Sequence, residues 1–307
     1  MIKKYLSLVK FSHTIFALPF AMIGFFLGVI YHPLPTNWNL NSTIGRGVEE
    51  WPGYVSLTSL SIKFFLVLLC MIFARSAAMA FNRWLDKNFD AKNPRTAIRE
   101  IPAGIISANS ALLFVIFNCI AFIVTTYFIN TLCFYLSFLA LFVILFYSYT
   151  KRFTALCHLV LGAGLSLAPI GAYLAVTGTF NVLPVLFSLV VICWVSGFDI
   201  IYALQDVDFD KSQQLHSIPV WLGKKNGLLF SEVLHSIVAV IVIIAGVYGH
   251  FHWLYWIGTA IFCSMLFYQH SIVKPNDLRR VNIAFMTANG IASVAFAIFV
   301  IADLLVF

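Results

Sequence analysis

The sequence predicts an all-α membrane protein, with about nine transmembrane helices forming one bundle around a central apolar chamber. Three observations predict it. The chain of 307 residues is 61% hydrophobic and only 10% charged, more apolar surface than a water-exposed domain can bury. Its apolar runs recur at or above the roughly 18 to 20 residues that a helix needs to cross a bilayer. Strict alternation of apolar and polar residues is absent, which argues against a lipid-facing β-barrel.

The elements follow in order. The first run, 11–31, is preceded by Lys3, Lys4 and Lys10. A signal peptide also starts with basic residues, but this run is longer than a signal core and lacks a small-residue cleavage site, so it reads as a retained helix. The segment 32–59 carries Pro, Asn, Gly and two Trp and reads as an external connection at the interface. The second run, 60–82, contains Ala74, Ser76, Ala77, Ala78 and Ala80, small residues that let helices approach closely in a bilayer. Further runs span 106–128, 130–149, 155–177, 181–203, 227–248, 252–270 and 282–306. Polar, basic connections lie at 83–105, 150–154, 204–226 and 271–281. No soluble domain is expected, and 1–307 reads as a single polytopic membrane domain.

Charge gives an independent check on this count. If nine helices alternate, 16 of the 19 Lys and Arg fall on one side; Arg46 and Lys63 fall on the other, and Arg75 lies within a helix. The positive-inside rule then places the N-terminus in the cytoplasm and the C-terminus outside. The basic face suits anionic lipid. Its charge is spread over short loops, which argues against nucleic acid. The six cysteines (70, 119, 133, 157, 193, 263) form no CxxC pair, so neither a zinc site nor a disulfide framework is indicated.

Six of the 12 acidic residues concentrate in two stretches, 82–90 and 199–210, at the ends of apolar helices on the same predicted face. Carboxylates at a membrane boundary are costly unless a cation neutralises them. At about 100° per residue, Asn82, Asp86 and Asp90 stay within roughly 80° of one another, and Asp199, Asp206 and Asp210 within roughly 40°. Asp208 falls on the opposite side if the helix persists. Two such oxygen-ligand faces point to magnesium, which is bound through a few carboxylates plus substrate phosphates. An isolated acidic residue at a helix end is usually a solvated charge or a cap, but two one-sided sets on one face are harder to explain so. Arg95, Arg99, Lys151 and Arg152 lie on the same side. Arg suits bidentate phosphate contacts and Lys acts as a point charge, although the positive-inside rule alone would also place basic residues there. Arg75, seven residues before Asn82, lies on the same helix face about two turns deeper. It is expected either to pair internally or to meet substrate.

At these residues the sequence resembles the UbiA family of intramembrane aromatic prenyltransferases. Asn82, Asp86 and Asp90 match a motif of the form NDxxDxxxD, and Asp199, Asp206 and Asp210 match DxxxxxxDxxxD. Tyr147 and Lys151 resemble a YxxxK element, and Lys10 to Pro19 is similar to the opening of the 4-hydroxybenzoate polyprenyltransferase-like branch, which includes members serving menaquinone synthesis. Arg83 departs from the pattern, standing where many members carry an Asp and removing one metal ligand. The resemblance implies transfer of a polyprenyl group from a polyprenyl diphosphate to an aromatic acid, 4-hydroxybenzoate or a dihydroxynaphthoate, in ubiquinone or menaquinone biosynthesis. It implies Mg2+ held by Asn82, Asp86, Asp90, Asp206 and Asp210, and diphosphate held by Arg95, Arg99, Lys151 and Arg152. Arg75 lies about two turns deeper than Asn82, and Asp199 about two turns deeper than Asp206, so these two are expected, with Tyr202 and Tyr147, to shape an acceptor pocket, or to pair with each other. The charge bias puts the site on the cytoplasmic face, and the bacterial branch implies the inner membrane.

Other readings stay open at this point. A cation-coupled transporter also uses buried carboxylates, but near the bilayer midplane at broken helices, whereas these carboxylates lie at helix ends beside basic loops. Within the family, haem farnesylation and ether-lipid synthesis use the same motifs.

Overall fold

The computed structural model describes residues 2–9, 16–31 and 57–307. Among these residues the protein is helical throughout and contains no strand. A short α1 (Ile2–Leu8) precedes α2 (Leu18–Tyr31), α3 (Leu57–Leu85), α4 (Lys87–Lys92), α5 (Ala108–Tyr127) and α6 (Thr131–Thr150). Then come α7 (Cys157–Thr177), α8 (Val182–Ala203), α9 (Val207–Ser212), α10 (Ile218–Tyr248), α11 (Trp253–Ile272) and α12 (Asn289–Val306).

Each predicted apolar run coincides with a helix over its described residues, but the count of nine crossings is not reproduced. Seven helices among the described residues are long and apolar enough to cross a bilayer. The first, Leu18–Tyr31, is apolar but shorter. The segment Trp253–Ile272 has the length, but two Trp, two Tyr, Gln269 and His270 dilute its hydropathy. Residues 10–15 of the opening motif and 32–56 of the external connection lie outside the described residues. The connection expected over 205–226 is mostly helical. A 3₁₀ turn, Leu204–Asp206, leads into α9, and α10 begins at Ile218, well before the apolar run, with a break at Gly223, whose φ of 81° and ψ of 163° are not helical. Ser217 caps it by accepting from the Val220 N–H at 3.3 Å, and Pro219 sits in the first turn, where its missing N–H costs nothing. Hydropathy does not register such a start because Lys224 and Lys225 follow it.

The bundle packs α2 against α7, α7 against α8, α8 against α10, α3 against α5 and α11 against α12. Small residues set the closest approaches, as lipid-embedded helices require. A Cβ on Gly24 of α2 would stand 1.9 Å from the Pro169 carbonyl oxygen of α7, and one on Gly162 of α7 would stand 2.5 Å from the Ile192 carbonyl oxygen of α8. The core is aromatic. Trp194 is fully buried among Phe20, Phe198 and Phe262, with centroids 5.3, 5.2 and 5.6 Å away. Its indole N–H donates to Asn289 Oδ1 at 2.8 Å. Asn289 Oδ1 also accepts from Gln269, and its amide donates to the carbonyls of Ala284 and Phe285. These carbonyls belong to the π-helical turn Ile283–Ala288 that leads into α12. The C-terminal ends of α3, α6 and α8 meet at one end of this bundle, and the acidic stretches lie there.

Candidate active site

The first acidic stretch is bent rather than continuous. Helix α3 stops at Leu85, Asp86 forms a turn, and α4 carries the chain through Asp90. Backbone bonds from Asp86 N to Asn82 O (2.9 Å) and from Asp90 N to Asp86 O (2.8 Å) keep the i, i+4 spacing across the bend. The expected one-sided arrangement therefore survives. Asn82 donates to Asp86 Oδ2 at 3.2 Å. The Arg152 guanidinium bonds Asp86 Oδ1 at 2.8 Å and the Leu85 carbonyl at 3.2 Å. Asp90 is 6% exposed; Arg99 donates to its Oδ1 at 2.7 Å, and its Oδ2 has no partner. Thr96 holds the following loop by donating to the Asp90 carbonyl at 3.1 Å.

The second stretch breaks in the same way, through the 3₁₀ turn between α8 and α9. Arg95 grips Asp206 with two groups: Nε donates to Oδ1 at 3.0 Å, and Nη2 pairs with Oδ2. Arg95 Nη1 donates to the Tyr202 hydroxyl at 2.9 Å. Asn93 also reaches Asp206 Oδ1, at 3.4 Å. Lys151 Nζ stands 2.8 Å from Asp210 Oδ1; Asp210 is 1% exposed and its Oδ2 has no partner. Asp208 points outward, with a side chain 90% exposed and 3.6 Å from Lys224. The loop after the first motif thus clasps the second motif, and four carboxylates face four cations in four separate pairs.

Charge compensation decides the ionisation at this membrane boundary. Burial pushes the Asp86 carboxyl above its ordinary value, against the opposing pull of Arg152. For Arg95 and Lys151 burial acts to lower the pKa, but the carboxylates of Asp206 and Asp210 outweigh it and raise both.

All of these groups line one cavity of about 720 Å3. Asn82, Asp86, Asp90, Asp206 and Asp210 are there with Arg95, Arg99, Lys151 and Arg152, and so are Arg75, Tyr147, Asp199 and Tyr202. Asp208 does not line it. Asp90 and Asp210 line that space and each keeps one carboxylate oxygen without a hydrogen-bond partner, a hard donor, so the residues fit magnesium. Among the described residues no group of three or more His, Cys, Asp or Glu comes close enough to cage a metal alone. That suits an ion that takes one or two carboxylates and completes its shell with phosphate oxygens and water.

The UbiA prenyltransferase family model matches residues 51–291. The chain belongs to this family. It is an integral membrane prenyltransferase. Similar chains include two proteins named 4-hydroxybenzoate octaprenyltransferase. One, from Francisella tularensis subsp. novicida, is 29% identical over 251 residues, covering 80% of this chain and 84% of the relative. The other, from Tolumonas auensis, is 28% identical over 277 residues, covering 86% and 96%. Among solved structures, the apo form of a UbiA homolog from Aeropyrum pernix K1 superposes with a TM-score of 0.75 at 26% identity, covering 96% of this chain and 97% of that one. A UbiA homolog from Archaeoglobus fulgidus, bound to DMAPP and Mg2+, superposes at 0.70 with 19% identity, covering 99% and 100%.

Two features of this UbiA cavity were not singled out as site residues from the sequence. Arg83, which departs from the family pattern, is buried at 4% exposure and lines the cavity; its Nε and Nη1 have no partner. A buried charge in an apolar stretch is costly unless something meets it, and that cost was the available signal. His158, in the first turn of α7, bonds Asp199 Oδ2 through Nδ1 at 2.7 Å. Asp199 is therefore paired with His158, while Arg75, expected either to pair internally or to meet substrate, keeps a buried Nε without a partner. A lone His in an apolar run gives no sequence signal until α7 and α8 are packed together.

Proposed function

We propose that this protein transfers a polyprenyl group from a polyprenyl diphosphate to an aromatic acid of the 4-hydroxybenzoate or dihydroxynaphthoate type, in respiratory quinone biosynthesis. One observation carries the reading. A single cavity holds two acidic motifs and four basic side chains at one end, and a cationic and aromatic lining with Arg75, Tyr147 and Phe198 beyond them.

Asn82, Asp86, Asp90, Asp206 and Asp210 would hold magnesium. When bound, magnesium supplies positive charge that neutralises the diphosphate and favours its departure. Arg95, Arg99, Lys151 and Arg152 exchange their present carboxylate partners for phosphate oxygens, so a cation leaves each Asp as an anion arrives. Arg95, Arg99 and Arg152 suit bidentate oxygen contacts, and Lys151 acts as a point charge. They stabilise the charge that develops on the leaving diphosphate. Arg75 faces the carboxylate of the acceptor, while Tyr147, Tyr202 and Asp199 orient its ring. The aromatic walls exclude water that would quench an allylic cation. The site faces the cytoplasm of a bacterial inner membrane, where both substrates are available, and residues 1–307 act as one membrane domain.

The curated relatives named for 4-hydroxybenzoate, and the Archaeoglobus homolog bound to DMAPP and Mg2+, support this reading. The test is turnover by purified protein with magnesium, prenyl diphosphates of several lengths, and either aromatic acid. Prenylated aromatic product is expected. Transfer only to a non-aromatic acceptor would overturn the proposal.

A further inference from the structure

His158 has the geometry of a base rather than of a packing residue. Its side chain is 3% exposed and lines the cavity beside Asp199. Nδ1 stands 2.7 Å from Asp199 Oδ2. An ionised carboxylate only accepts, so Nδ1 carries a hydrogen; when the ring is neutral, the lone pair is on Nε2. Nε2 is buried and has no hydrogen-bond partner. Buried polar atoms are almost always bonded, and an exception needs an explanation. The backbone that carries the ring is fixed as well, because Ser196 donates its hydroxyl to the His158 carbonyl at 3.0 Å. Asp199, Arg75 and Tyr147 line the same cavity as His158.

The geometry points to His158 as a catalytic residue: Nε2 takes the proton from the acceptor's ring carbon after the prenyl group has been attached, and Asp199 positions it. The inference rests on the proposed aromatic acceptor. The prenyl C1–O bond breaks with its electron pair going to the diphosphate oxygen. A π pair of the acceptor ring forms the new C–C bond. The C–H pair then returns to the ring, restoring aromaticity, and the proton passes to Nε2. The imidazolium so formed is balanced by Asp199, as in other imidazole–carboxylate pairs, and later releases its proton toward the polar mouth of the cavity. No oxidant or reductant is involved.

The experiment compares ring-protiated with ring-deuterated 4-hydroxybenzoate, with magnesium and a polyprenyl diphosphate, for wild type, His158→Gln and Asp199→Asn. Wild type should show an isotope effect near unity, because a positioned base removes the proton faster than the C–C bond forms. His158→Gln should lose about 10²-fold or more in kcat, the usual contribution of a general base. Its KM for the diphosphate should not change, and a normal primary isotope effect should appear. Asp199→Asn should lose less and show an effect in the same direction; it decides the matter if His158→Gln does not fold. A purely structural pair would lower the yield of folded protein and the rate without moving the isotope effect. An isotope effect still near unity in the folded variants would overturn the assignment and give the proton to another acceptor, such as the departing diphosphate. Absence of aromatic prenylation by wild type overturns the proposed function and this inference together; wild-type turnover with no isotope effect in the variants overturns this inference alone.

Discussion

Asp206→Ala and Asp208→Ala change carboxylates two residues apart, yet their consequences should differ by orders of magnitude. Asp206 lines the cavity and is held by Arg95 and Asn93. On the proposed function, its removal would take away a magnesium ligand and the anchor of a guanidinium that binds phosphate. Losing one preorganised electrostatic group of this kind costs about 10²- to 10³-fold in kcat, or ~2.7–4 kcal/mol. The fold should lose much less, because Arg95 is one-third exposed and rehydrates; an ion pair of that exposure contributes about 1 kcal/mol or less. Asp208 is 90% exposed and stands 3.6 Å from Lys224. A surface change of that sort stays within ~0.5 kcal/mol, or about twofold in rate. The assay is magnesium-dependent transfer by the two variants in detergent, with thermal unfolding measured on the same preparations. Equal loss of activity at both positions, with both proteins folded, would refute the assignment of faces.

Other outcomes follow from the same geometry. Lys151→Ala and Arg95→Ala should raise the KM for the prenyl diphosphate more than that for the aromatic acid, and steady-state kinetics with each substrate varied checks this. Arg75→Lys should raise the KM of the aromatic acid and leave that of the diphosphate unchanged, the signature of lost acceptor binding. Chelation of divalent ions should abolish turnover and added magnesium should restore it, since the carboxylates here suit a small ion completed by phosphate and water. Gly24→Ala should lower the melting temperature markedly, because its Cβ would stand 1.9 Å from a backbone oxygen of α7, whereas Gly171→Ala, with nothing within 4 Å, should be neutral or mildly stabilising.

Hydropathy and spacing carried much of this architecture, for definable reasons. A membrane helix reports itself through an apolar run, so α5, α6, α7 and α8 lie within about two residues of their expected limits. The one-sided spacing of Asn82, Asp86 and Asp90 was legible because i, i+4 bonds persist through the bend at Asp86. The 3₁₀ turn at Leu204–Asp206 was not legible, since nothing in Leu204-Gln205-Asp206 forbids a continuing α-helix. Asp208 nonetheless points away and Asp206 and Asp210 point in, because one tightened turn shifts the register by less than the separation between the two faces. The early start of α10 lay in Ser217 and Pro219, a capping signal that a search for apolar runs passes over. Asp90 meets a cation from its own loop, Arg99, but Asp86 meets Arg152 across 66 residues and Asp206 meets Arg95 across 111. Such partners are set by the packing of α3, α6 and α8 and are not encoded locally. His158 was hidden for the same reason.

The central claim is that the four cations and four carboxylates part when substrate enters. A structure of the protein with magnesium and a non-hydrolysable thio analogue of a prenyl diphosphate tests it most directly. The expected result has metal on Asp86, Asp90, Asp206 and Asp210, with Arg95, Arg99, Lys151 and Arg152 turned from those carboxylates onto phosphate oxygens and the prenyl chain running between the aromatic walls toward Arg75. A diphosphate bound elsewhere, with the pairs Arg95–Asp206, Arg99–Asp90, Lys151–Asp210 and Arg152–Asp86 intact, would contradict it.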